Sequence, residues 1–135
     1  MTQLIKMHEK RRNKLQSLIE YLKQIKTVNT FGNKGPIVFT FGSTTMSVLE
    51  AIDYGGLEMT VVQPIYLEPF PVWALEQYRG IQGIVVEQNS TGQLASLLRE
   101  KVGVNIQASI LKYDGRPFDP QELTKKLQEV TVIAN

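Results

Sequence analysis

Short apolar runs recur along the chain from residue 37 onward, and segments with helical spacing separate them. Residues 37–41 form an almost continuous apolar run, which is typical of a strand that is buried on both faces of a parallel sheet. Similar runs at 57–63 and 83–87 predict two further strands. Residues 105–111 alternate between apolar and polar side chains, so we expect a half-exposed edge strand there.

The segments between these runs have the periodicity of short helices. In the first of them, Val48 and Ile52 share one face, and the glycine pair at 55–56 ends the helix. Further helices are predicted at 71–78 and 90–101. Strands separated by helices in this way predict an α/β domain with three layers and a mostly parallel sheet.

The start of the last helix is the most specific local signal in the chain. Asp119 suits the N-cap, Pro120 suits the first helical position, and Glu122 falls at the third. We predict that this helix ends near Glu129 and that residues 130–133 form a short strand or a tail.

The first 26 residues carry most of the positive charge. Seven basic residues against two acidic ones leave this arm at +5, whereas eight basic against eleven acidic residues leave the remainder at −3. The apolar residues of the arm lie at helical spacing, namely Leu15, Leu18, Ile19, Leu22 and Ile25. We therefore predict an amphipathic helix whose apolar face packs and whose basic face is solvated. Binding of RNA or of an anionic membrane is the alternative, although no aromatic residue precedes Tyr21 in the arm.

Length and composition narrow the class of protein. A chain of 135 residues fits one domain with an extra arm, and we divide it into a linker helix with its loop at 1–32 and an α/β domain at 33–135. The absence of cysteine excludes disulfides, thiolate nucleophiles and cysteine-ligated metal centres, and the single histidine, His8, excludes a multi-histidine metal site within one chain. A net charge of +2 does not indicate a dedicated nucleic-acid binder. Without an apolar run of membrane-spanning length or a signal-peptide pattern, we expect a cytoplasmic protein.

Polar residues follow three of the predicted strands, at the edge where ligands bind in parallel α/β sheets. Gly42, Ser43 and Thr44 either hold an anion at a helix N-terminus or simply cap that helix; they form neither a GxGxxG nor a Walker A loop. Glu87 is either a general base or part of a hydrogen-bonding network that fixes its loop. The candidate rim, for anion binding or for an interface, comprises Gly42, Ser43, Thr44, Glu87, Asn89, Gly92 and Gln93.

An aromatic and proline-rich segment between the second and third of these strands is the candidate interface. Its residues Tyr66, Leu67, Phe70 and Trp73 are predicted to form an apolar patch that contacts other domains or drives dimerisation of the isolated chain.

Five short motifs, in order, carry a family resemblance. They are Phe-Gly-Ser-Thr at 41–44, Leu-Glu-Pro-Phe-Pro at 67–71, Val-Val-Glu-Gln-Asn at 85–89, Gly-Gln-Leu at 92–94 and Tyr-Asp-Gly-Arg-Pro-Phe at 113–118. Together they resemble the C-terminal domain of the alpha subunit of 2-oxoacid:ferredoxin oxidoreductases, in the 2-oxoglutarate and broad 2-oxoacid branch. The basic arm is similar to the linker helix that precedes this domain, so the resemblance spans nearly the whole chain.

This resemblance implies a fold like the transketolase C-terminal domain and a parent enzyme that oxidatively decarboxylates a 2-oxoacid with CoA, forming acyl-CoA and reducing ferredoxin. The parent complex would hold thiamine diphosphate, magnesium and iron–sulfur clusters. Its partners for this chain would be the N-terminal domain of alpha and the beta subunit, with ferredoxin and CoA acting on the whole complex and a homodimer as a further possibility.

The sequence lacks the family's pyrimidine-type domain and its Gly-Asp-Gly…Asn motif. No catalytic, cofactor-binding or metal-binding residue of the family therefore transfers to this chain. We expect a non-catalytic assembly domain that contacts neither nucleic acid nor membrane. The alternative is a stand-alone module that binds a small molecule, a nucleotide or CoA at the candidate rim.

Overall fold

The computed structural model describes residues 2–88, 92–112 and 116–134, with side chains described from residue 9 to residue 131 of these ranges. The strands are β1 (Val28–Phe31), β2 (Ile37–Phe39), β3 (Thr60–Pro64), β4 (Gln82–Glu87) and β5 (Asn105–Leu111). The helices are α1 (Thr2–Leu22), α2 (Thr44–Gly55), α3 (Val72–Leu75), α4 (Gln93–Leu97) and α5 (Pro120–Ala134). A 3-10 turn at Glu76–Tyr78 continues α3, and a π-helical turn at Leu98–Val102 continues α4.

The five strands form one sheet in the order β1-β3-β2-β4-β5. Strands β3, β2, β4 and β5 are parallel, while β1 lies antiparallel on the outer side of β3. The predicted α/β class and mostly parallel sheet are therefore confirmed. The strand predicted from residues 37–41 lies in the middle of the sheet, and the alternating strand β5 lies at its edge, as expected.

One face of the sheet packs against α2 and α5. Because side chains alternate between the two faces of a strand, Val38 of β2 and Ile84 of β4 point to this side. A buried hydrogen bond joins the two helices, since the hydroxyl of Thr124 donates to the carbonyl oxygen of Ala51 at 2.7 Å. The buried members of this core are Val38, Val48, Ala51, Met59, Val61, Ile84, Val86, Ile110, Phe118, Leu123 and Leu127.

The other face packs against α3, α4 and the turns that continue them. The rings of Phe39 and Tyr78 meet edge to face with centroids 5.4 Å apart, an arrangement that aromatic pairs favour. Helices on both faces make the three layers that the sequence predicts. The buried members of this second core are Phe39, Val62, Phe70, Leu75, Tyr78, Val85, Leu94, Ala95, Leu98, Val102 and Val104.

Two elements differ from the sequence prediction. Residues 28–31 were expected to be loop but form β1, where Asn29 donates its side-chain N–H to the Gln63 side chain at 3.1 Å. A four-residue strand has little periodicity, and its partner lies more than 30 positions away. The last helix does not end near Glu129 but continues to Ala134, because Val130 packs on the first core and the Thr131 hydroxyl donates to the Leu127 carbonyl at 2.7 Å.

The predicted start of this helix is confirmed. The Asp119 side chain accepts a hydrogen bond from the main-chain N–H of Gln121 at 3.3 Å, as an N-cap does.

Helix α1 forms as predicted, but its apolar face is largely not packed. Leu22 is buried, whereas Leu15 and Leu18 are 44% and 45% exposed. The expected packing of this face is therefore wrong at these two positions, because the body reaches only the last turns of α1. None of the helices in the described part of the chain has the length and apolar content needed to cross a bilayer.

Candidate functional site

A crevice lies at the carboxyl ends of β2 and β4, where the strand order reverses direction. Strand β3 follows β2 on one side, and the chain then crosses back to place β4 on the other side of β2. This is the position at which open α/β sheets bind ligands. The crevice has a volume of about 250 Å³ and is lined by residues that include Phe41, Ser43, Thr44, Leu67 and Gln93.

Glu87, the last residue of β4, fixes the start of α4. Its side chain is buried, and its two carboxylate oxygens accept the main-chain N–H groups of Leu94 at 2.7 Å and Ala95 at 3.2 Å. The first N–H groups of a helix have no partners within the helix, and a carboxylate there also meets the positive end of the helix dipole. Glu87 thus bonds the N-terminus of α4, and this geometry favours the structural interpretation over a general base.

Gln88, which the sequence analysis did not select, ties the other side of the crevice together. The Thr44 hydroxyl donates to the Gln88 side-chain oxygen at 3.0 Å, and the Gln88 side-chain nitrogen donates to the Arg116 carbonyl at 2.7 Å. Successive residues of a strand point to opposite faces. Glu87 and Gln88 therefore join the end of β4 to α4 on one side and to α2 on the other.

The expectation that Ser43 or Thr44 caps α2 through its side chain is wrong. Ser43 occupies the N-cap position without a side-chain capping bond, and its backbone is helical at φ −65° and ψ −21°. A capping side chain usually needs an extended backbone, from which its oxygen turns back to the helix. The structure instead uses the Thr44 hydroxyl for the bond to Gln88.

The remaining rim residues are only partly brought together. Gly42 is exposed, with a left-handed backbone at φ 63° that turns the chain from β2 into α2. Gly92 precedes α4 in the same conformation, and the exposed Gln93 lines the crevice. Asn89 lies outside the described residues.

Two buried hydroxyls near this edge have no hydrogen-bond partner among the residues that the structure describes. They belong to Thr40, which directly follows β2, and to Thr45, in the first turn of α2. Neither residue lines the crevice. Since a buried unpaired hydroxyl lowers stability, these two positions are the weak points of an otherwise well-bonded edge.

The candidate interface segment divides into core and surface. The prediction that Phe70 forms a surface contact is wrong. This residue is 6% exposed, and its ring packs in the core under α3 and α4. Leu67 is half-buried against the same core. Trp73 is also half-buried, with the Lys23 ammonium 6.0 Å from its ring centroid. Tyr66 is exposed, so its interface role stays a prediction.

A larger groove of about 630 Å³ lies at the opposite, amino-terminal edge of the sheet. Among the described residues, its lining includes Pro36, Ile81 and Gln107 and contains no charged side chain. No sequence motif marks this groove, because its walls are largely glycine backbone and single apolar residues.

The cofactors implied by the family resemblance do not fit the residues present. Within the described ranges, no group of three or more histidine, cysteine, aspartate or glutamate residues is placed to hold a metal ion. The chain has no cysteine to ligate an iron–sulfur cluster. At the crevice, the Glu87 carboxylate occupies the N–H groups of α4, and its charge disfavours the diphosphate of thiamine diphosphate.

Comparison with curated proteins identifies relatives of the chain. It is 31% identical over 129 residues to 2-oxoacid:ferredoxin oxidoreductase 1, subunit alpha, of Sulfurisphaera tokodaii, a match that covers 92% of the chain and 20% of the relative. It is 34% identical over 96 residues to 2-oxoacid:ferredoxin oxidoreductase 2, subunit alpha, of Aeropyrum pernix, covering 67% of the chain and 15% of the relative. The chain belongs to the alpha-subunit family of 2-oxoacid:ferredoxin oxidoreductases. No protein-family model matches it.

A solved structure supports the same relationship. The 2-oxoglutarate:ferredoxin oxidoreductase of Magnetococcus marinus, determined with 2-oxoglutarate, coenzyme A and succinyl-CoA bound, matches with a TM-score of 0.74 at 28% identity. The match covers 93% of this chain and 23% of that chain. The family resemblance seen in the five motifs is thus confirmed, and the chain spans about one-fifth of the curated alpha subunits that match it over most of its length.

Proposed function

We propose that the chain is a non-catalytic C-terminal assembly domain of a 2-oxoacid:ferredoxin oxidoreductase alpha subunit. The observation that carries this proposal is the bonding of Glu87 and Gln88 across the crevice. At the position where α/β proteins usually bind ligands, the side chains of Glu87 and Gln88 instead bond α4 and α2 to the end of β4. A site so bonded positions secondary structure and leaves no described acid–base pair for catalysis.

The parent reaction is the oxidative decarboxylation of a 2-oxoacid with CoA to acyl-CoA, with ferredoxin as electron acceptor. Thiamine diphosphate, magnesium and iron–sulfur clusters belong to other parts of the complex in this proposal. The partners of the chain are the N-terminal domain of alpha and the beta subunit, and the complex acts in the cytoplasm. These assignments rest on the family relationship, since the chain corresponds to a small share of its relatives.

Co-purification tests the proposal. The tagged chain is expressed with the remaining alpha region and the beta subunit of the same organism, and 2-oxoacid-dependent reduction of a viologen dye is assayed with CoA and thiamine diphosphate. We expect the chain to join the complex and the complex to lose activity without it, while the chain alone is inactive. A complex that assembles and turns over equally well without the chain would contradict the proposal.

A stand-alone module for CoA or a nucleotide is the second candidate, favoured by the location of the crevice at the reversal of strand order. Its volume of about 250 Å³ is below the range of roughly 300–1,000 Å³ that is usual for ligand pockets. Thermal-shift measurements with CoA, thiamine diphosphate and nucleotides decide between the two. A ligand at 100 times its Kd stabilises a protein by about 2.7 kcal/mol, so a true ligand raises Tm measurably, and we expect no shift.

A further inference from the structure

Helix α1 carries an exposed apolar stripe that the body leaves largely uncovered. Leu15 and Leu18 are 44% and 45% exposed, and Leu22 is buried. Together these three residues, which we call the α1 stripe, follow the spacing i, i+3, i+7 along the helix. This spacing is that of the narrow seam by which one helix packs against another or into a groove.

Helix α1 lacks most of the packing that stabilises helices in proteins. Over 21 residues it extends about 30 Å, and its first turn contains no acidic residue that would favour the helix dipole. Helices in proteins are stabilised chiefly by packing of an apolar face rather than by intrinsic propensity. An α1 stripe buried in a groove would supply the stabilisation that the body gives only around Leu22.

The positive charge of the arm indicates which kind of surface the α1 stripe contacts. The arm of 26 residues carries +5, and the exposed Arg11, Arg12 and Lys14 lie on the turns that precede and flank the stripe. Two copies of α1 packed against each other would bring these cations together, so a second copy is a poor occupant. An acidic surface complements them and also speeds association.

We propose that α1 docks through its stripe into an apolar groove with an acidic border on the protein surface formed by the rest of the alpha and beta subunits. This inference rests on the proposed function and names the element that makes the contact. A membrane is less suited, because the three leucines of the stripe offer less apolar area than the broad face of an interfacial helix. RNA is less suited because Tyr21 is the only aromatic residue of the arm.

The experiment uses the full chain and a purified subcomplex of the remaining alpha region with beta. The double variant Leu15→Glu/Leu18→Glu places two charges on the stripe. The matched control Gln16→Glu/Ser17→Glu adds the same two charges at exposed positions on the other side of the helix. Far-UV circular dichroism establishes that both variants remain folded, and Kd for the subcomplex is measured by interferometry at two salt concentrations.

We expect the stripe variant to bind at least about 100-fold more weakly, because two central apolar anchors are lost. The control, which changes only charge, should weaken binding by about fivefold or less, and this loss should shrink as salt rises. Equal binding by the stripe variant and the unaltered chain would overturn the docking inference alone. If the unaltered chain does not bind the subcomplex, the proposed function, on which this inference rests, is contradicted.

Three further measurements test whether the stripe binds a different partner. Sedimentation shows whether the unaltered chain self-associates through the stripe. Vesicles of phosphatidylglycerol and a single-stranded RNA probe show whether the arm binds a membrane or nucleic acid. Stripe-dependent self-association, or vesicle or RNA binding tighter than binding to the subcomplex, would overturn the proposal.

Discussion

Replacing Glu87 with glutamine changes one atom of the side chain and tests what the end of β4 does. In the structure the carboxylate accepts N–H groups from Leu94 and Ala95 at the start of α4. An amide keeps the shape and one acceptor oxygen, but its NH₂ group then faces one of the two N–H donors. The negative charge beside the helix N-terminus is also lost.

The expected change in the free energy of unfolding follows from these two losses. An unpaired buried donor costs about 1–3 kcal/mol, and the charge at a partly buried helix terminus contributes about 0.3–2 kcal/mol. We therefore expect Glu87→Gln to lower the free energy of unfolding by about 2–3 kcal/mol. With a urea m-value of about 1–3 kcal/mol/M, this loss lowers the unfolding midpoint by about 0.7–3 M.

Urea unfolding followed by circular dichroism measures this change, with Glu50→Gln as the control. Glu50 is exposed on α2, so its variant should stay within about 0.5 kcal/mol of the unaltered chain. If Glu87→Gln is as stable as the control, the carboxylate does not fix α4 and the argument from the crevice is refuted. A stable Glu87→Gln chain that also abolished activity of the assembled complex would restore the general-base interpretation.

Four further substitutions, in two matched pairs, test individual contacts of the fold. Thr40→Val removes a buried hydroxyl without a described partner and should raise stability by about 1 kcal/mol. Thr124→Val removes a hydroxyl that bonds the Ala51 carbonyl and should lower stability by a similar amount. If urea unfolding gave both changes the same sign, this reasoning would be contradicted. Gly83→Ala would place a methyl group 2.6 Å from Cε2 of the Phe39 ring and should cost about 1–3 kcal/mol or more. Gly42→Ala has open space around the added methyl group and should cost only about 1 kcal/mol for its left-handed backbone, so a thermal melt that ranks Gly42→Ala as the more harmful variant would count against the Gly83 packing.

The elements that sequence predicts well are those whose signals are local. The continuous apolar run of β2, the glycine that ends α2 and the Asp119 cap of α5 each depend on a few neighbouring residues. Strand β1 was missed because it exists through its pairing with β3. The run of β-branched residues after Glu129 suggested a strand or tail, and packing on the core kept it helical.

The crevice shows the same division between local and distant information. Its position follows from the order of strands and helices, so Thr44 and Glu87 were selected from sequence. The role of Glu87 was not decided there, because its partners Leu94 and Ala95 become neighbours only when α4 packs on the sheet. Phe70 was misplaced because an aromatic residue beside prolines reads equally well as surface contact or as core.

The antiparallel pairing of β1 has a consequence for where the chain tolerates being cut. Strand β1 covers the outer edge of β3, with Phe31 opposite Val61 and Thr30 opposite Val62. Removing residues 1–32 would leave all four parallel strands in place. It would expose a row of main-chain N–H and C=O groups along the apolar strand β3. Such an edge recruits strands from other molecules. Strand β1 therefore protects the sheet from aggregation, and a soluble minimal domain has to begin before Val28.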